Sequence, residues 1–126
     1  MKPSPFAYTK PSSLDAVFEL LATHGEGAKL LAGGQSLIAT LNLRLSSPGL
    51  LIDINGLKQL SGITLDGGVV RIGALTRHAE IERSPEIARH LPLLAEAVTH
   101  IGHAAIRNRG TLGGSLAFAE IGRAHV

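Results

Sequence analysis

Apolar positions along the first 55 residues alternate between two spacings, one suited to strands and one to helices. Phe6-Ala7-Tyr8 is a short extended opening, and Lys10-Pro11-Ser12-Ser13 marks a turn whose serines offer an N-cap. Leu14, Val17, Phe18, Leu20 and Leu21 then share one helical stripe, closed by His24-Gly25. Lys29-Leu30-Leu31-Ala32 is a brief apolar run ending in Gly33-Gly34. Ser36 caps a second predicted helix that reaches about Leu45 and is closed by Ser47-Pro48-Gly49. Leu50-Leu51-Ile52-Asp53-Ile54 reads as a buried strand. The order β-α-β-α-β predicts a small sheet with helices packed on it.

After Asn55-Gly56 the pattern changes. Ile63-Thr64-Leu65 and Val69-Val70-Arg71-Ile72 flank Asp66-Gly67-Gly68, a hairpin signal because tight turns require positive φ. Residues 76–101 are helical in periodicity, interrupted at Ser84-Pro85 and Leu91-Pro92, with Ile87, Leu91, Leu94 and Val98 expected on the inner side. Residues 102–115 read as an apolar-poor turn region.

Composition narrows the function classes. The 126 residues are 44% hydrophobic and 17% charged, enough for about one average globular domain. Zero cysteine excludes disulfide scaffolds, thiolate zinc sites, cysteine-ligated clusters and cysteine nucleophiles on this chain. A net charge of +2, scattered bases and only three Phe and one Tyr argue against nucleic acid. No apolar run approaches the roughly 20 residues of a membrane span, and the start lacks a secretory segment. A cytoplasmic chain without a membrane span is therefore expected. Fifteen glycines, several of them paired, direct attention to the loops.

Two of those loops carry candidate chemistry. Ala32-Gly33-Gly34-Gln35-Ser36 lies between a predicted strand and the first turn of a predicted helix, where backbone N–H groups lack intrahelical partners. Absent Cβ atoms admit phosphate oxygens, the helix dipole favours negative charge, and the Ser36 hydroxyl adds a donor. Thr111-Leu112-Gly113-Gly114-Ser115 repeats the pattern, so the two turns are expected to grip one diphosphate with their amides. Taken singly, a Gly-Gly turn is more often only a tight connection. Neither turn is a Walker loop or a Rossmann fingerprint.

Other groups are weaker candidates. His100 and His103 are the closest histidine pair, but Gly102 interrupts them and no carboxylate completes a site, so no metal is expected. Arg107 and Arg109 suit a phosphate, an acidic partner or plain solvent. Asp53, in an Asp-x-Asn segment closing a strand, is expected to cap the following turn. Ser36 and Ser115 lack the partners of a hydrolytic nucleophile, and no catalytic residue is assigned.

The blocks Ala32-Gly33-Gly34-Gln35-Ser36-Leu37, Leu41-Asn42-Leu43-Arg44-Leu45, Leu51-Ile52-Asp53-Ile54-Asn55 and Ile101-Gly102-His103, with Ile106-Arg107-Asn108-Arg109-Gly110-Thr111-Leu112-Gly113-Gly114-Ser115, resemble the FAD-binding (medium) subunit of molybdenum hydroxylases of the carbon monoxide dehydrogenase and xanthine dehydrogenase family. The resemblance implies a two-part α+β FAD-binding fold of the vanillyl-alcohol oxidase type. Residues 1–56 would be the first FAD-binding subdomain and 57–119 the start of a second, incomplete one. The cofactor would lie between them. It also implies FAD contacts at Ala32, Gly33, Gly34, Gln35 and Ser36 and at Thr111, Leu112, Gly113, Gly114 and Ser115, with Leu31 and Ile101 as further contacts. Its partners would be a molybdopterin-binding large subunit and a small subunit carrying [2Fe-2S] clusters, with electrons passing through FAD to an acceptor. The rival readings are a stand-alone FAD-dependent oxidase or reductase and a non-redox nucleotide-binding module.

Members of that family are longer. Here Ala119 is followed by Glu120-Ile121-Gly122-Arg123-Ala124-His125-Val126, which reads like a translated sequencing-adapter oligonucleotide. Residues 120–126 are therefore expected to be a non-native tail on an N-terminal fragment.

Overall fold

The computed structural model describes residues 5–43 and 48–117. The expected tail at 120–126 and the expected end of the second helix near Leu45 lie outside the described residues. The fold is α+β, and the chain divides into two compact units, Met1–Lys58 and Gln59–Val126.

In the first unit, β1 (Ala7–Thr9), β2 (Ala28–Leu31) and β3 (Leu50–Asp53) form a parallel sheet in the order β1-β3-β2. The central strand is β3. Its apolar run explains the position, because Leu51 and Ile52 are fully buried and contribute about 1.5–3 kcal/mol each. Helix α1 (Leu14–His24) starts at Ser13, whose extended backbone lets its hydroxyl accept the Ala16 N–H at 3.2 Å. Gly25 ends the helix, donating its N–H to the Leu21 carbonyl. Helix α2 (Leu37–Asn42) buries Leu37 and Leu41 against Leu51, with Leu31 packed alongside. The helix differs from expectation at its start. Ser36 has helical dihedrals, and its side chain makes no cap hydrogen bond, because a capping hydroxyl needs extended backbone to reach back to the first turn.

In the second unit, β4 (Ile63–Asp66) and β5 (Val69–Ile72) pair antiparallel across Gly67-Gly68, both at positive φ, as the glycine pair predicts. Three helices follow: α3 (His78–Arg83), α4 (Pro85–His90) and α5 (Pro92–Val98). Each break falls just before a proline, which starts the next helix and removes no needed donor. Ile81, Ile87 and Val98 form the core, with Ile63, Val70, Ile72, Leu94, Ile101 and Leu112 packed around them. Leu91 is exposed rather than inward. It precedes Pro92, which forces it out of helical geometry at φ −132° and ψ 62°. Residues 102–115 also depart from the expected turn region, since α6 (Ala104–Arg109) and α7 (Leu112–Ala117) occupy them. No helix among the described residues is long and apolar enough to cross a membrane.

Candidate functional site

The first glycine turn leaves β2 and enters α2 with Gly34 at φ 79°. A Cβ there would lie 3.2 Å from Ile38 Cγ1 as well as strain the backbone, so the position requires glycine. The turn is half-buried. Among the described residues, no hydrogen bond engages the N–H groups of Gly33, Gly34 or Gln35, whereas the Gly34 carbonyl already accepts from Ile38 N–H at 3.0 Å. Consecutive amides without acceptors in a glycine turn are the kind of donors that an anionic group of several oxygens can use. Helix α2 has only six residues, so an anion held at this turn would meet peptide amides rather than a helix dipole.

The turn is held from behind by the end of β3. Asn55 Nδ2 donates to the Ala32 carbonyl at 2.8 Å and to Asp53 Oδ1 at 2.7 Å. Asn55 N–H also donates to Asp53 Oδ1 at 2.9 Å, which is the turn cap expected of Asp-x-Asn. The Tyr8 hydroxyl donates to Asp53 Oδ2. Burial pushes the Asp53 carboxyl up, but the hydrogen bonds from Tyr8 and from Asn55, with the Lys10 charge, outweigh it and hold the group below its ordinary value. The Tyr8 phenol is raised, first by its hydrogen bond to Asp53, then by burial and the carboxylate charge.

Both shifts make stability depend on pH. A depressed carboxyl stabilises the fold above its unfolded pKa, and that contribution fades as pH falls through the lower folded value. A raised phenol acts at the other end, losing its contribution as pH rises through the folded value. Asp53→Asn is therefore expected to cost about 1–2 kcal/mol at pH 7. The difference from wild type should shrink below about pH 4. Urea midpoints measured from pH 3 to 7 check this, and a pH-independent difference would refute the linkage.

The second glycine turn has a different construction from the amide nest expected of it. Thr111 Oγ1 accepts the Gly114 N–H at 3.1 Å and the Thr111 carbonyl accepts the Ser115 N–H at 3.1 Å, so Thr111 caps α7. Leu112 N–H donates to the Thr76 carbonyl at 3.1 Å and Gly113 N–H to the Ala74 carbonyl at 2.8 Å. All four amides are thus committed inside the unit. A Cβ on Gly113 would lie 2.8 Å from the Ala74 carbonyl oxygen, so this glycine is needed for close packing. Tethers to the same segment continue on both sides: His78 N–H donates to the Gly110 carbonyl, and His78 Nε2 lies 3.0 Å from Ser115 Oγ. Thr111 and His78 are buried, and Ser115 is half-buried.

Leu31 packs on the Leu37–Leu41–Leu51 cluster, and Ile101 on the core of the second unit. Leu31, Ala32, Gly33, Gly34, Gln35 and Ser36 belong to the first unit; Ile101 and residues 111–115 belong to the second. Arg107 is a structural tie. Its guanidinium pairs with Glu82 at 3.1 Å and donates to the carbonyls of Thr99, Ile101 and Gly102, which close the end of the helical run. The Asn55 contact carries no local sequence signal, because its partner lies 23 positions away.

The chain thus presents a mixed helix-and-strand scaffold whose strand-to-helix turn leaves three amides without acceptors among the described residues. Residues 4–123 match the family described as the FAD binding domain in molybdopterin dehydrogenase, and the chain belongs to that family. It is 49% identical over 120 residues to the 6-hydroxypseudooxynicotine dehydrogenase complex subunit alpha of Paenarthrobacter nicotinovorans, covering 95% of this chain and 40% of that protein. It is 44% identical over 125 residues to the carbon monoxide dehydrogenase medium chain of Hydrogenophaga pseudoflava, covering 99% and 44%. Among solved structures, carbon monoxide dehydrogenase from H. pseudoflava lacking the Mo-pyranopterin moiety superposes with a TM-score of 0.91 at 45% identity, over 93% of this chain and 41% of that one. Quinoline 2-oxidoreductase from Pseudomonas putida 86 gives 0.88 at 40% identity, over 93% and 41%. The chain thus spans about 40% of the length of these relatives.

Proposed function

We propose that this chain is the FAD-binding portion of a molybdenum hydroxylase subunit, through which electrons pass from [2Fe-2S] clusters on a small partner subunit to an acceptor. A molybdopterin-binding large subunit would supply those electrons in the cytoplasm. The observation that carries the reading is the half-buried set of amides at Gly33, Gly34 and Gln35, without protein acceptors among the described residues, in a chain of an FAD-binding family. Ala32, Gly33, Gly34, Gln35 and Ser36 would hold the diphosphate chiefly by main-chain donation, with Leu31 beside it. Thr111, Leu112, Gly113, Gly114 and Ser115, whose amides from Leu112 to Ser115 are committed within their own unit, and Ile101 would be the further cofactor contacts that the family likeness suggests. FAD, when bound, supplies the redox chemistry. The protein's share is to bind, orient and screen it.

The full-length gene product, purified from cells, should be yellow, carry about one flavin per chain and bleach on reduction with dithionite. It should also co-purify with an iron–sulfur protein and a large molybdenum protein. A full-length protein that takes up no flavin from added FAD would overturn the reading. Flavin without those partners would favour a stand-alone flavoprotein.

A further inference from the structure

We infer that Asn55 is a positioning residue for the cofactor, holding the Ala32 carbonyl so that the Gly33 amide is aimed at the diphosphate. The inference rests on the reading of residues 33–35 as the diphosphate seat. A peptide unit is planar, and no cis peptide occurs among the described residues, so the Ala32 carbonyl and the Gly33 N–H point in opposite directions along one rigid plate. Whatever grips the carbonyl sets the direction of the amide. Asn55 Nδ2 grips it at 2.8 Å and sends its other hydrogen to Asp53 Oδ1 at 2.7 Å, so both hydrogens of the side-chain amide are held. Asp53 is locked in turn by the Tyr8 hydroxyl and by the Asn55 main chain. It also ends the buried central strand, in register with Leu31 of β2. The Ile54 N–H donates to the Leu31 carbonyl at 3.0 Å, which fixes the peptide one step before the turn. Rigidity in the sheet is thereby delivered to the first amide of the seat. A turn held only by its own glycines would sample several orientations of that plate and lose affinity to the entropy of ordering it.

The test uses the full-length gene product, with FAD affinity read by flavin fluorescence and folding by far-UV circular dichroism. Asn55→Ala should weaken FAD binding about tenfold with the spectrum of the folded protein retained. Asn55→Asp should bind poorly at pH 8, because a carboxylate cannot donate to the Ala32 carbonyl and is repelled by Asp53. It should recover as pH falls to about 5, where the introduced carboxyl, its pKa raised by the Asp53 charge, regains a proton to donate. Among the described residues, Asp53, its partner Tyr8 and the Lys10 charge acting on Asp53 are the charged or titratable groups at this position, and wild type should change little over the same range. An Asn55 that only stabilised the fold would instead lose and regain FAD affinity in step with the folded-state circular dichroism signal. Wild-type affinity in Asn55→Ala, or no recovery in Asn55→Asp, overturns the inference if Gly33→Asp still abolishes binding. If Gly33→Asp binds FAD normally, the diphosphate seat itself has been misassigned.

Discussion

Gly33→Asp in the full-length gene product is expected to yield a folded protein that purifies without flavin. A carboxylate about 4 Å from a phosphate charge, at an effective dielectric of about 20, costs about 4 kcal/mol for each pair of unit charges. That corresponds to roughly a thousandfold in Kd. The new carboxylate would also accept from the neighbouring amides and so occupy the seat as an internal competitor. Flavin fluorescence titration measures the loss. Part of the affinity should return at high salt, because the repulsive component is screened while the steric one is not. Unchanged affinity would show that the diphosphate lies elsewhere, whatever the family likeness.

Gly73→Ala is expected to damage the fold rather than the cofactor seat. A Cβ at this position would collide with the Leu60 carbonyl oxygen and lie 2.6 Å from its carbon and 3.0 Å from the Ser61 carbonyl carbon. These are main-chain atoms that no rotamer change can move. The crowded segments, which flank the hairpin, are also tied together, since Gly73 N–H donates to the Gly62 carbonyl and Leu75 N–H to the Leu60 carbonyl, both at 2.8 Å. Relieving the clash therefore breaks hydrogen bonds, and a loss of about 3 kcal/mol or more is expected. Thermal unfolding should show Tm lowered by roughly 5–10 °C. Saturating FAD should restore part of it, because a ligand that binds only the folded state stabilises by mass action. A Tm within a degree or two of wild type would refute the packing argument.

Much of the element layout is legible because its causes are local. Ser13 caps α1, Gly67-Gly68 turns the hairpin, and Pro85 and Pro92 each begin a helix, all through contacts within a few residues. The two helices within residues 102–117 were not legible. Two glycines in α7 cost about 1 kcal/mol each against alanine, and their composition signals a turn. What offsets that cost is the Thr111 cap together with ties from Leu112 and Gly113 to Thr76 and Ala74, more than 35 residues earlier. Arg107 is hidden for a similar reason: beside a glycine turn it resembles a phosphate ligand, yet Glu82 and three carbonyls claim its donors.

The amino-acid order alone established the kinds of elements, the places where they turn, and the family likeness carried by the Gly-Gly blocks. It presented the two glycine turns as equivalent. Only the folded chain separates them: in one, three amides have no acceptor among the described residues, while in the other every amide from Leu112 to Ser115 is spent on a carbonyl or a hydroxyl of its own unit. Residue spacing governs dihedral preference and apolar periodicity, which are properties of neighbours. Thr111 takes two of these amides locally, but Leu112 and Gly113 lose theirs to Thr76 and Ala74, acceptors that only tertiary packing brings near.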